Sequence, residues 1–123
     1  MRSPCVPGLI AYRFYAPLFF ANADHFIERV RDRVAASPSQ VRWFLLDAQA
    51  ITDIDVTGAD ALTRLIEELR LQGITFKIAR ANRPLREKLA HIGLGEHIGE
   101  ATLFPSVHAA IAAFQQHVDT RSG

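Results

Sequence analysis

The chain of 123 residues fits one ordinary domain and leaves no room for two. Hydrophobic residues make up 49% and charged ones 22%, close to globular averages, which argues against disorder. Fourteen Lys and Arg against thirteen Asp and Glu give a net charge of +1, so no strongly basic face exists and nucleic acid is not expected as a partner.

Arg2 to Ala23 has the outline of a secretory signal, ending on Ala21-Asn22-Ala23. Arg13 inside the apolar segment and the breakers Pro7, Gly8 and Pro17 argue against that reading. No apolar run reaches the roughly 18 residues a membrane-spanning helix needs. Leu9 to Tyr15 reads instead as a strand rich in β-formers. Pro17-Leu18-Phe19-Phe20 follows as a second short apolar run, which would close an initial hairpin with it.

Asn22 is placed to cap a helix whose Phe26, Val30 and Val34 are spaced by four, with Ile27 beside them. Ser37-Pro38-Ser39 ends it. Val41 to Ala48 contains Trp43-Phe44-Leu45-Leu46, the continuous apolar run of a strand buried on both faces, closed by Asp47. Asp53 to Gly58 leads into a second helix with Leu62, Leu65, Ile66 and Leu69 inward and Gly73 as its stop. Ile74 to Ala79 is the next strand. Asn82 and Pro84 open a third helix carrying Leu85, Leu89 and Ile92, and Gly93 ends it. Leu103-Phe104 forms a last short strand. Ser106 caps a final helix that turns Val107, Ala110, Ile111, Phe114 and Val118 inward, and Arg121-Ser122-Gly123 is expected to fray.

Strands joined by crossover helices run parallel, so this order predicts one α/β domain: a mixed, mostly parallel sheet with about four to five helices packed against it. The domain spans residues 6–118, with tails at 1–5 and 119–123.

Catalytic signatures are missing. Gly93 to Gly99 holds three glycines, but at the wrong spacing and after a helix, where a dinucleotide fingerprint must follow a strand. No glycine-rich loop ends in Lys-Ser or Lys-Thr. Glu87 and His91 share a helix face, yet one carboxylate and one imidazole are too few for structural zinc, and an ion pair is the better reading. Cys5 has no internal disulfide partner and no neighbouring base in sequence. No metal ligands and no catalytic set are therefore assigned, and the chain is read as a non-enzyme.

One loop remains. Asp47, Asp53, Asp55, Thr57 and Gly58 lie beyond a strand's carboxyl end, where open α/β sheets bind ligands, and at a helix N-terminus that favours anions. One of Asp53 and Asp55 should cap that helix, so an added anion must compete with it, unless Mg2+ bridges carboxylates to phosphate oxygens. The plainer reading is an N-cap with a threonine in the first turn.

The sequence resembles the STAS domain, named for sulphate transporters and anti-sigma factor antagonists. More specifically, it looks like the cytoplasmic C-terminal STAS domain of a bacterial SulP-family anion transporter. Pro17 to Ala23, after a Val-Pro-Gly-Leu strand, is similar to a stretch typical of the permease branch. Asp53 to Ala59 resembles the family's loop before its second helix, and Leu89 to Leu94 with Leu103 to Val107 resembles its C-terminal third.

The resemblance implies a regulatory or interaction domain attached to the permease's transmembrane domain on the cytosolic face of the plasma membrane. It implies a chain that is a piece of a longer protein, itself soluble. It also implies nucleotide binding of modest affinity, with GTP, GDP or ATP as ligands, no obligatory cofactor, and a regulatory protein as a further partner. The binding candidates are Asp53, Asp55, Val56, Thr57 and Gly58, with Phe19 and Phe20 offering a stacking surface. Antagonist-type members are phosphorylated on a serine in the Asp-Ser-Ser-Gly form of this loop. Thr57 occupies that position here, flanked by Asp55 and Gly58, and Val56 departs from the serine. The alternative is thus a free-standing antagonist-like switch controlled at Thr57.

Overall fold

The apolar runs extend where β-formers dominate and bury where they are continuous. In the computed structural model, which describes residues 7–16, 18–19, 21–91 and 103–122, they form β1 (Leu9–Arg13), β2 (Trp43–Asp47), β3 (Thr75–Ala79) and β4 (Leu103–Phe104). The helices are α1 (Ala23–Ala35), α2 (Val56–Leu71), α3 (Arg83–His91) and α4 (Val107–Ser122). All strand pairs are parallel, in the order β1-β2-β3-β4, with Leu9, Trp43 and Thr75 in one row and Arg13, Asp47 and Ala79 in another. The α/β class is as expected.

Strand alternation divides the side chains between two layers. On one face Tyr12, Phe44, Leu46, Phe76 and Ile78 meet Phe26 and Val30 of α1, Leu62, Leu65 and Leu69 of α2, and Leu85 and Leu89 of α3. On the other face Leu9, Trp43, Leu45 and Ala79 meet Ala110 and Phe114 of α4, which covers it alone among the described helices. Every residue of β2 is buried, as its continuous apolar run requires.

The helix ends follow local chemistry. Asn82 Oδ1 accepts from Leu85 N at 2.8 Å and Ser106 Oγ from Ala109 N at 3.0 Å, both as expected of N-caps. Gly73 stands just beyond α2 with φ 82°, the left-handed turn that glycine takes without a Cβ penalty. Asn22 differs: its side chain makes no cap bond to α1 and instead accepts from Phe19 N at 3.0 Å, pinning the turn that leads into the helix.

The expected hairpin is corrected by the sense of pairing. Among the described residues the second apolar run does not fold back on β1. Leu18 forms an isolated parallel bridge with Ile54: its N–H donates to Asp53 O at 3.0 Å, and Asp55 N donates to Leu18 O at 3.2 Å. The physical reason is burial. Pairing on the outer edge of β1 would leave Leu18 at the rim of the sheet, whereas here it is 1% exposed in the core. The sheet is therefore parallel throughout its described strands, not mixed. The final helix also continues to Ser122, through residues expected to fray. Gly93 to Gly99, Ile92 and Cys5 lie outside the described residues. No described helix is long and apolar enough to cross a membrane.

Candidate functional site

Parallel strands all end on one side, and the β2–α2 loop lies there. Ile54 and Ile51 anchor it by burial, at 3% and 2% exposure, so the polar residues between them are held at fixed positions. Asp55 is the N-cap of α2. Its carboxylate accepts from Gly58 N at 2.7 Å, while Ala59 N donates to its carbonyl at 2.8 Å. Asp53 is bonded differently: it accepts from Ile54 N at 2.9 Å and pairs with Lys88 of α3. The Lys88 ammonium first, then the Ile54 N–H, hold the Asp53 carboxyl below the ordinary carboxylate range. Of the two aspartates, Asp55 is thus the cap, and Asp53 ties α3 to the loop.

Val56 and Thr57 open the first turn of α2 and are exposed, Val56 at 71%. Their N–H groups precede the intrahelical ladder, so the helix itself offers them no acceptor. Gly58 is buried, and its role is spatial. A Cβ there would stand 2.2 Å from Leu18 O, because the Leu18 backbone crosses directly over the start of α2. That crossing also brings Phe19, 37% exposed, to the same end of the sheet as Thr57. Asp53, Asp55, Val56, Thr57, Gly58 and Phe19 are therefore gathered in one place; Phe20 lies outside the described residues. Among the described residues no three His, Cys, Asp or Glu side chains come together. A divalent ion at this loop would be held through phosphate oxygens and water as much as through Asp53 or Asp55. Glu87, considered with His91, accepts from Arg83 at 3.1 Å instead.

A second polar cluster was not anticipated. Asp47 is 5% exposed and binds both Arg13 of β1, at 3.0 Å, and Arg80, at 3.2 Å. Burial pushes its carboxyl up, but the Gln49 N–H and the Arg80 and Arg13 guanidiniums outweigh burial and leave it below the ordinary value. Arg80 adopts φ 61°, a left-handed conformation rare for a residue with a side chain. The available signal was positional: Arg13 and Arg80 each stand at or just past the carboxyl end of a strand, as Asp47 does.

A parallel α/β sheet with helices on both faces, a Leu18 crossover above a capped α2 and a small polar loop at the strand ends define the architecture. The chain belongs to the STAS domain family, whose model matches residues 1–110. It is 43% identical over 111 residues to a probable sulfate transporter of Mycobacterium tuberculosis, a match covering 90% of this chain and 20% of that protein. It is similar to the STAS domain of a SulP transporter from Vibrio cholerae, at 26% identity and TM-score 0.77, with 97% and 90% of the two chains covered. The murine solute carrier 26 family member A9 anion transporter shares the fold at 23% identity and TM-score 0.83, over 94% of this chain and 19% of that one. The chain thus spans about a fifth of the length of the curated relatives it matches.

Proposed function

We propose that this chain is the regulatory and interaction domain of a SulP-type sulfate or anion permease, docked on the permease's transmembrane domain at the cytosolic face of the membrane. The observation that carries this reading is the 43% identity to a probable sulfate transporter across nearly the whole chain. The domain acts without catalysis and binds a guanine or adenine nucleotide without hydrolysing it, with Mg2+ joining the phosphates where the carboxylates allow. The gathering of Thr57, the first-turn N–H groups of α2 and the exposed Phe19 ring supports this finer reading. Titration of GTP or ATP, followed by NMR, should shift the amides of Asp55 to Gly58. No shift at millimolar nucleotide would remove nucleotide from the proposal and leave the docking role standing.

A second reading is supported by one feature, the exposure of Thr57 on the first turn of α2 beside the Asp55 cap. Phosphate added there would compete with the Asp55 carboxylate for the same N–H groups and remodel the loop, the behaviour of an antagonist-type switch binding a regulatory protein. An anti-sigma-type kinase should then add one phosphate to wild type and none to Thr57→Ala. An unchanged mass in both argues against the switch.

A further inference from the structure

Charged residues stand at, or just past, the carboxyl ends of three neighbouring strands. Arg13 is the last residue of β1, Asp47 the last of β2, and Arg80 the first after β3; the register sets Arg13 beside Asp47. By strand alternation Arg13 and Asp47 share the face of Leu9, Trp43 and Leu45, which α4 covers, whereas α2 and its loop pack on the other face. The Arg13 and Asp47 side chains therefore lie on the opposite face of the sheet from α2, although Asp47 and Gln49 begin the loop that leads to it.

Its bonding is saturated on one side and open on the other. Asp47 Oδ2 accepts from Arg13 Nε at 3.0 Å and Arg80 Nη2 at 3.2 Å. Its Oδ1 accepts from Arg80 Nε at 3.2 Å and Gln49 N at 3.1 Å. Arg80 Nη2 also reaches the Gln49 side-chain oxygen. A guanidinium carries about five N–H donors in a planar fork. Arg13 gives Asp47 only its Nε–H and also faces the exposed Tyr15 ring, 5.6 Å from its centroid, while the Arg80 Nη1 group makes no bond among the described residues. The two side chains are 38% and 30% exposed.

The charge balance points the same way. One carboxylate neutralises one guanidinium, and among the described residues no other carboxylate lies in salt-bridge reach of either arginine. A surplus positive charge is thus braced on a buried anion. The backbone of Arg80 is held in its left-handed turn by a bond from its N–H to Phe104 O at 2.9 Å. Such a conformation persists where the surroundings over-determine it.

We propose that Arg13 and Arg80, braced on Asp47, form a seat for a tetrahedral oxyanion, either free sulfate or phosphate or the phosphate of a lipid headgroup. Two rigid forks fixed at a common anchor suit a multi-oxygen anion, which accepts from both, better than a halide. Asp47 supplies the preorganisation, and its own oxygens are occupied by the bonds that hold the forks in place.

NMR on the full chain tests the seat directly. Sodium sulfate and sodium phosphate are titrated against sodium chloride at matched ionic strength, reading the Arg13 and Arg80 side-chain N–H signals and the Gln49 amide. Saturable shifts with the oxyanions and not with chloride are expected, with dissociation constants on the order of millimolar. Arg13→Gln and Arg80→Gln should each weaken binding about tenfold or more. Arg33→Gln on α1 should leave it unchanged. If a glutamine variant does not fold, Arg13→Lys keeps the charge, loses the fork, and should still weaken the sulfate shifts. Sedimentation with mixed phosphatidylcholine–phosphatidic acid vesicles, against phosphatidylcholine alone, separates the sources. Retention competed by free phosphate assigns a headgroup, and solution binding without retention assigns the free ion. Shifts that chloride reproduces, or oxyanion affinity unchanged in the folded arginine variants, would overturn the seat.

Discussion

Gly58→Ala isolates what the Leu18 crossover demands of the sequence. Gly58 lies within α2, where alanine is favoured over glycine by about 1 kcal/mol. Helix propensity alone therefore predicts a stabilised variant. The structure predicts the opposite. The added Cβ would stand 2.2 Å from Leu18 O and 2.9 Å from Leu18 C, so the Leu18 backbone must retreat by roughly 1 Å to reach ordinary contact. Retreat breaks the bond from Asp55 N to Leu18 O, at about 1 kcal/mol. It also draws Leu18 partly out of the core, forfeiting a share of the roughly 1.5–3 kcal/mol its burial is worth. Overpacking strain adds about 1–3 kcal/mol. Against the propensity gain, the net loss is about 2–3 kcal/mol, a fall in Tm of roughly 6–15 °C for a domain of this size. Urea unfolding followed by circular dichroism gives the free energy. A Gly58→Ala protein as stable as wild type, or more so, would refute the argument that backbone proximity requires this glycine.

Two further outcomes bear on the carboxylates. Removing the cap in Asp55→Ala leaves Gly58 N without its acceptor and should cost about 1 kcal/mol, while Asp55→Asn should cost only a few tenths, both read by the same urea titration. Asp47 has a folded pKa below its unfolded value, so its contribution is complete above about pH 4 and lost as pH falls through the lowered folded value. Asp47→Asn should therefore be less stable than wild type by about 2 kcal/mol at neutral pH, with the gap closing at acid pH as the Asp47 carboxylate of the folded wild type takes up its proton. A gap of the same size at both pH values would show that shape, not charge, accounts for the loss.

Much of the fold was legible because local and global signals agree. The unbroken Trp43-Phe44-Leu45-Leu46 run could satisfy its burial only as an inner strand, and it is fully buried. Asn82, Ser106 and Gly73 act through bonds or dihedral angles within a few residues of themselves, so their roles follow from spacing. The polar loop before α2 was legible for the same reason, since capping is local. Arg13 carried a misleading local signal: it argued against a leader segment, and nothing nearby in sequence announced Asp47 thirty-four residues away. Lys88 likewise looked like one more exposed helix residue until the fold set it beside Asp53.

The sequence by itself determined the α/β class, the caps at Asn82 and Ser106, the Gly73 stop, the apolar stripes and the candidate loop, because each depends on periodicity or on contacts within one turn of chain. Only the tertiary structure decided that Leu18 pairs with Ile54 in parallel, that Gly58 is required by a crossing backbone, and that Arg13, Asp47 and Arg80 converge at the carboxyl end of the sheet. Those are contacts between segments far apart in the chain. Their partners are selected by strand order and register, which the packing of the two helical layers sets and no single segment encodes.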